Sequence, residues 1–361
     1  MKNLRVCHCL GKLDPGGAET LVMNVLRNMK SKDITFDFLV FDSNPGFYDE
    51  EVKEKNCNIY YLKSISNVGL KNYLNQLIDF FKQNKFDVVH SHMDWQGGFI
   101  AYAAHKAGIK KIVVHSHADQ KMFCTDIPHK IMVHINKNLI NKYADYCLAC
   151  SKEAGESLFK GDFKVLFNGV DLQKFQNPNL ELMEQIKSEF NIDVLDIVLG
   201  SVGSLSSNKN QIFLIELLAE LVKNRPNYKL VLVGQGSEEK NLKKRVKELN
   251  LEDHVIFTGI RQEIPEFMNI FDIFLFPSIH EGLGIVAIEA QASGTPCIVS
   301  DTIPRSVLVN ENLISFCKLD LNVWKKRILD RLLFKIKSKV DNKYSINYTC
   351  DLLEKIYTEG M

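Results

Sequence analysis

No stretch of this 361-residue chain reaches the ~18–20 uninterrupted apolar residues of a membrane span. Its first ten residues, MKNLRVCHCL, lack the long apolar run and cleavage site of a secretory signal. The expected location is therefore the cytosol. An excess of one charge is also missing: 45 Lys and Arg face 44 Asp and Glu, a net +1, so no nucleic-acid partner is demanded. The nine cysteines are odd in number, have no regular framework, and fit reduced thiols. Cys147-x-x-Cys150 has the spacing of half a zinc site, but it falls in a strand-like run, where positions three apart face opposite sides. No repeat of 20–50 residues marks a solenoid. The Gly-x-Gly-x-x-Gly fingerprint of dinucleotide binding is absent as well. Asp42 stands where a ribose-binding acid belongs, yet Gly16-Gly17 lacks the spacing, and Gly234-x-Gly236 is followed by Glu239 in place of the third glycine.

What is present is 45% hydrophobic and 25% charged residues, enough core for about two domains of ~100–200 residues. Short apolar runs alternate with amphipathic stretches, the pattern of parallel sheets wrapped by helices. Strands are expected at residues 4–10, 35–41, 59–62, 88–90, 112–115, 146–149 and 164–166, with helices such as 18–29, 73–84 and 130–143 between them. After a turn at Asn168-Gly169-Val170-Asp171 and a linker-like Gln176-Asn177-Pro178-Asn179, a second series follows. Its strands are expected at 196–202, 229–233, 255–258, 273–276 and 297–299, and its helices at 211–223, 240–249 and 284–293. A last amphipathic stretch spans 348–358. The fold class predicted is α/β, two Rossmann-like doubly wound domains facing across a cleft. The first spans 1–174, with the tail helix 345–361 packing back on it, and the second spans 175–344. In such sheets ligands bind beyond the carboxyl ends of the strands. Residues 1–180 carry 23 basic against 19 acidic residues, a mild surplus that would suit contact with an anionic membrane surface.

The most informative stretch is Pro277-Ser278-Ile279-His280-Glu281-Gly282-Leu283-Gly284-Ile285-Val286-Ala287-Ile288-Glu289-Ala290. Glu289 sits in an otherwise apolar helix, so it is drawn inward. A buried carboxylate needs donors, and the vicinal hydroxyls of a ribose would supply two. Gly282 and Gly284 bare N–H groups at the helix start, a cradle for phosphate, which leaves Glu281 facing whatever the phosphate carries. The plainer alternative is a capped helix with Glu289 paired to a neighbouring Arg or Tyr.

These residues resemble the Glu-x7-Glu signature of the retaining, two-domain (GT-B) nucleotide-sugar glycosyltransferases of family 4, or group 1. The likeness extends to Val202-Gly203 with Lys209-Asn210, Val233-Gly234-Gln235-Gly236, Phe257-Thr258-Gly259, residues 271–278, residues 294–300, Gly16-Gly17-Ala18-Glu19, the 115–119 stretch, and Ser151 with Asn168-Gly169-Val170-Asp171. It covers roughly residues 4–305.

The resemblance implies catalytic roles for His117, Lys209 and Glu281. Lys209 would neutralise the leaving nucleoside diphosphate, Glu281 would bond the donor sugar and His117 would line the reaction centre. Donor binding would fall to Gly16, Gly17, Ser204, Gly259, Arg261, Gly282, Leu283, Gly284 and Glu289, with Glu289 on the ribose and Gly259–Arg261 beside the base. The substrate would be a nucleotide-sugar, a UDP-sugar ahead of a GDP-sugar, and no metal or other cofactor would be required. The run Ser300-Asp301-Thr302-Ile303-Pro304 resembles members that build capsular or exopolysaccharide repeats, whose acceptor is a lipid-linked saccharide at the inner membrane face. The chain contains no Asp-x-Asp, which argues against the metal-dependent single-domain architecture.

Ser204 departs from the pattern, since the family usually has Arg there. Losing that cation would weaken diphosphate binding by about 1.5–3 kcal/mol, unless Arg261 or Arg305 compensates. Two other readings stay open: a sugar-nucleotide 2-epimerase, and a non-catalytic paralogue that binds nucleotide-sugar. The near-duplicates Val88–Asp94 and Val113–Asp119 bring His90, His92, His115 and His117 together with Asp94 and Asp119, a set that could in principle hold two metals. Such centres need further ligands from later strands. The second half offers only His254 and His280, so these residues are read as polar strand ends.

Overall fold

The computed structural model describes residues 3–118, 126–223, 225–331 and 340–360. Two compact units divide the chain: Met1–Gly169 together with Lys343–Met361, and Val170–Asn342. The turn at Asn168–Asp171 thus coincides with the passage from one unit to the other. Gln176–Asn179 is no free linker. Phe175 O accepts from Asn269 Nδ2 at 2.9 Å and Asn179 N–H donates to Glu266 Oε1 at 3.0 Å, both within the second unit.

The first unit holds β1 (Leu4–Leu10), β2 (Ile34–Val40), β3 (Ile59–Tyr61), β4 (Val88–Ser91), β5 (Lys111–Ser116), β6 (Tyr146–Ala149) and β7 (Lys164–Val165), in the order β3-β2-β1-β4-β5-β6-β7. The second holds β8 (Ile197–Val202), β9 (Tyr228–Val233), β10 (Val255–Gly259), β11 (Ile273–Phe276), β12 (Cys297–Ser300) and β13 (Ile314–Cys317), in the order β10-β9-β8-β11-β12-β13. Neighbouring strands pair in parallel throughout. Both sheets are therefore doubly wound and Rossmann-like, as the alternating pattern predicted. Apolar residues dominate their strands and most positions are buried, because helices cover both faces. β13 and the helix Leu321–Arg331 were not anticipated; the helix buries Trp324 and Ile328 in the second core.

In each sheet the chain reverses its direction of winding beside the first strand, between β1 and β4 and between β8 and β11. Loops diverge at these switch points, and a ligand can enter there. The tail helix Ile346–Thr358 joins the first core through Ile346, Cys350, Leu353, Ile356 and Tyr357. Its last carbonyls are capped from the sheet: Lys111 Nζ donates to Ile356 O at 2.6 Å, to Tyr357 O at 3.2 Å, and to Glu359 O.

Candidate functional site

In the second unit the loop 203–210 leaves β8 and starts the helix Gln211–Val222. Gly203 opens it at φ +146°, a conformation suited to glycine. The neighbouring loop after β9 presses on it from below. A Cβ on Gly234 would lie 2.1 Å from Gly203 O, and one on Gly236 would lie 2.3 Å from Leu205 O. The pair Gly234-x-Gly236 is thereby explained as close backbone packing. Loop 203–210 is also stitched to the segment after β11. Ile279 N–H donates to Asn208 O at 2.8 Å, and Asn208 Nδ2 donates to His280 O at 2.9 Å. Asn210 Nδ2 donates to Pro277 O at 3.3 Å.

These bonds bring two sequence-predicted residues together. Lys209 Nζ lies 2.5 Å from Glu281 Oε1 and 5.2 Å from the centre of the Phe276 ring. Past Glu281 the backbone turns through Gly284 at φ +92° into the helix Ile285–Ala292. The N–H groups of Gly282, Leu283 and Gly284 meet no acceptor among the described residues, the state of a helix start ready for an anion. Leu283 itself is buried and holds the turn against the core. Five residues into that helix Glu289 is buried, and burial pushes its carboxyl up to about 7. No hydrogen bond or ion pair reaches this carboxylate among the described residues. The alternative of a Glu289 satisfied by a neighbouring Arg or Tyr does not apply to them.

The remaining donor-side expectations fall unevenly. Ser204 is exposed, and its carbonyl accepts from Gln211 Nε2 at 2.9 Å. Gly259 has φ +70°, and its carbonyl accepts from Gly234 N–H at 2.8 Å, which ties it to the loop beneath Gly203. Arg261 is already engaged. It forks onto Glu189 at 2.7 and 3.0 Å, bonds Glu263 at 2.9 Å, and lies over the rings of Phe190 and Phe267. Arg305 stacks 3.9 Å from the Phe316 ring centre and meets no carboxylate among the described residues. Of the two cations offered as substitutes for the missing Arg, it is the one whose charge is unspent.

In the first unit Gly16 and Gly17 follow β1 and start the helix Gly17–Asn28. Glu19 folds back over Gly16, where a Cβ would lie 2.4 Å from its Oε2. Burial, with Asp94 and Asp14 nearby, raises its carboxyl to about 7. Asp94 itself sits at φ +48°, and its Oδ1 accepts the N–H groups of His117 at 2.7 Å and Ala118 at 3.2 Å. The sequence placed Asp94 beside His117 only as one member of a possible metal set, and Glu19 only within the Gly16–Glu19 stretch of the family likeness. The one signal for Glu19 was a carboxylate one turn into a helix that opens on two glycines.

The histidines of the duplicated motif converge, and His8 of β1 joins them in register with His90. The ring centroids of His90 and His92 lie 4.1 Å apart, those of His115 and His117 4.2 Å, and those of His90 and His115 5.5 Å. His90 Nδ1 and Tyr357 OH lie 2.7 Å apart. Burial lowers all five imidazoles, His8 and His117 to about 3. Two triplets, His8-His90-His92 and His92-His115-His117, bring ring nitrogens within 4.8 Å of one another. His92, common to both triplets, has both nitrogens engaged by other imidazoles. This arrangement suits hydrogen bonding better than chelation. Asp119 lies outside the described residues. Cys147 and Cys150 are free thiols.

Two doubly wound sheets, a lysine–glutamate pair at an open helix start and a buried, unpartnered glutamate are the features with which the family likeness can be compared. Residues 15–174 match the model of Glycosyltransferase Family 4, and residues 183–318 match that of Glycosyl transferases group 1. A Bacillus subtilis (strain 168) protein carrying the name glycosyltransferase EpsF is 34% identical over 90% of this chain and 86% of its own length. The chain belongs to the group 1 glycosyltransferases. It is also 26% identical, over 81% of both chains, to the Escherichia coli UDP-Gal:alpha-D-GlcNAc-diphosphoundecaprenol alpha-1,3-galactosyltransferase. The fold is shared with Anabaena HepE, solved in complex with UDP and glucose, at a TM-score of 0.81, 17% identity and 98% coverage of each chain.

Proposed function

We propose that this glycosyltransferase moves a hexosyl unit from a nucleotide-sugar, a UDP-sugar ahead of a GDP-sugar, to a hydroxyl of a lipid-linked saccharide, with retention at the anomeric carbon. The observation that carries the reading is the Lys209–Glu281 pair beside the free N–H groups of Gly282–Gly284, with unpartnered Glu289 behind them. In this reading the N–H groups and Lys209 take the diphosphate, Glu289 takes the ribose hydroxyls, and Glu281 turns from Lys209 toward the sugar. As the bond from anomeric carbon to phosphate oxygen breaks, negative charge grows on that oxygen, where Lys209 and the helix start stabilise it. The acceptor hydroxyl attacks from the face the diphosphate leaves and passes its proton to the departing oxygen.

The lipid-linked acceptor is supported by the diphosphoundecaprenol substrate named for the Escherichia coli relative, which also makes surface polysaccharide synthesis the natural setting. No helix among the described residues is long and apolar enough to cross a membrane. Peripheral contact from the cytosol is supported by the helix Ile127–Tyr143, whose Ile127, Ile131 and Ile135 are exposed at four-residue spacing beside Lys130.

The test is incubation with a panel of UDP- and GDP-hexoses, with and without polyprenyl-diphosphate saccharides. Release of nucleoside diphosphate that requires acceptor, with an α-configured product from an α-donor by NMR coupling, is the expected result. An epimerised donor without free UDP overturns transfer, and binding without turnover in every pairing overturns catalysis.

A further inference from the structure

Between β11 and the helix Ile285–Ala292 the segment Pro277–His280 belongs to neither strand nor helix, so its backbone polar groups need partners from elsewhere. Side chains supply several of them. Asn210 Nδ2 donates to Pro277 O at 3.3 Å, and Thr302 Oγ1 donates to Ser278 O at 3.1 Å. Asn208 does more. Its backbone oxygen accepts the N–H of Ile279 at 2.8 Å. Its side-chain amide takes His280 at both ends: Oδ1 accepts the His280 N–H at 3.2 Å, and Nδ2 donates to His280 O at 2.9 Å. An amide that exchanges both bonds with one residue's backbone copies the hydrogen-bonded pair of an antiparallel ladder. Such a clamp fixes direction as well as distance.

What the clamp adjoins is the ion pair. Lys209 follows Asn208 and Glu281 follows His280, so the clamp and the Lys209–Glu281 contact both span 72 positions. The chain around Lys209 is closed as well. The N–H groups of Lys209 and Asn210 both reach Ser206 O, at 3.1 and 3.2 Å. Asn210 then turns at φ +56°, a left-handed conformation that Asn tolerates better than most residues. The backbone on either side of the pair is thus held by bonds that use neither Lys209 Nζ nor the Glu281 carboxylate. Parting the pair breaks none of them.

We propose that Asn208 is a positioning residue, which holds the backbones of Lys209 and Glu281 in fixed register so that the two side chains separate by rotation alone when a nucleoside diphosphate reaches Lys209. This rests on the reading above, in which that pair serves the donor. A frame that stays still removes the cost of ordering loops at the moment of binding, and keeps both groups at the separation that the reaction needs. The residue type fits the task. Asn is the shortest side chain that accepts and donates from one planar head. An Asp in its place could still accept the His280 N–H, but would turn its second oxygen on His280 O.

The experiment combines steady-state kinetics of the full chain, on the donor and acceptor selected by the panel above, with 1H–15N spectra of its side-chain amides. Asn208→Asp should lower kcat about tenfold, the order of one net hydrogen bond, and leave the KM for nucleotide-sugar nearly unchanged. Asn208→Ala, which removes both bonds and adds no charge, should fall at least as far. In a Lys209→Met background there is no pair to hold, and either substitution should then cost less than about twofold. Thr302→Val frees the same segment from a different loop and is the structural comparison, with an equal cost in both backgrounds. The Asn208 amide signals, assigned by their loss in Asn208→Asp, should stay in place and remain slow to exchange at saturating UDP. Asn208 substitutions that cost the same with and without Lys209 overturn the proposal, as do amide signals that move to solvent-exposed positions with UDP. So does wild-type kcat with a lowered melting temperature, the mark of a purely structural residue. Wild-type turnover in Lys209→Met would instead overturn the reading of the pair, and the role of Asn208 with it.

Discussion

Lys209 Nζ sits 2.5 Å from Glu281 Oε1, joining residues 72 apart in sequence across the ends of β8 and β11. In the free protein each is the other's counterion, with side chains 22% and 13% exposed. In the proposed reading, a diphosphate arriving at Gly282–Gly284 would offer Lys209 a stronger partner and free Glu281 for the sugar. Lys209→Met should therefore lower kcat by about 10²–10³, the usual effect of removing one charge-stabilising donor. Lys209→Arg should restore only part, because a planar fork does not replace a point charge. Glu281→Gln should keep nucleoside diphosphate binding and lose turnover, measured as thermal stabilisation by UDP against initial rate.

Glu289 makes stability depend on pH in a stated direction. Its ordinary value of 4.5 rises to about 7 in the fold through burial. Between those values the folded chain keeps a proton the unfolded chain has lost, so stability falls as pH rises from about 4.5 to 7 and levels off above. The full loss is about 3 kcal/mol. Glu19 shifts the same way to about 7, so Glu289→Gln should remove only part of the decline in denaturation midpoint across that range. The same variant should bind UDP weakly at every pH, whereas the wild type should bind more tightly as pH passes 7 and the carboxylate forms to accept the ribose hydroxyls. Identical stability profiles for variant and wild type would contradict the buried, unpartnered state of Glu289.

Gly234→Ala and Gly236→Ala should damage donor binding without touching the donor. Each new methyl would sit within 2.1–2.3 Å of a carbonyl in loop 203–205, forcing the loop that leads to Lys209 to move. Overpacking of this kind destabilises by about 1–3 kcal/mol. The expected result is a loss of UDP-induced thermal shift that exceeds the loss in basal melting temperature. Gly11→Ala, where nothing lies within 4 Å, is the control and should leave both unchanged.

The two sheets were legible because parallel strands covered on both faces leave mostly apolar runs such as β9 and β11, bounded by polar turns. β13 escaped because its four residues, Ile314–Cys317, include Ser315 and follow a polar turn at Asn310–Asn312, too short for a period to show. At the site, Lys209, Glu281 and Glu289 were legible as residue types whose chemistry fits their spacing. The partners each would find were not. A sequence shows that Arg261 is cationic but not that Glu189, 72 positions away, has already taken it. His8 escaped for the same reason. A lone histidine in an apolar strand reads as a core residue until strand order sets β1 beside β4 and pairs it with His90.

The substitution of Ser204 for the usual Arg should be tested together with Arg305. Arg305 stacks on Phe316 with its charge unspent, and the segment it belongs to packs on the Gly282–Gly284 turn, since Ile303 and Val307 lie 3.5–3.6 Å from a Cβ built on Gly284. Arg305→Ala should raise the KM for nucleotide-sugar about 10- to 100-fold, the value of a charge-assisted hydrogen bond. Arg261→Ala should mainly lower stability, by freeing Glu189 and Glu263. Ser204→Arg should raise turnover and make Arg305 dispensable. If Ser204→Arg changes nothing and Arg305→Ala is silent, neither cation serves the diphosphate.

Lys111 links the tail helix to the histidine stack. Its Nζ caps the carbonyls of Ile356, Tyr357 and Glu359, and Tyr357 in turn holds His90 Nδ1 at 2.7 Å. Lys111 is 6% exposed, so no water replaces the ammonium when it is removed. Lys111→Met keeps the apolar stem and strands those carbonyls, at a loss of about 2–3 kcal/mol. The loss should appear as an earlier chemical-denaturation transition of the first unit. UDP stabilisation should survive, because Lys209, Glu281 and Glu289 all belong to the other unit. Histidine ring signals of His90 should shift as the Tyr357 hydroxyl loosens, while those of His254 in the second unit stay in place. A variant that lost UDP binding and kept the His90 signal would mean that the tail helix supports the donor site and not the histidine stack.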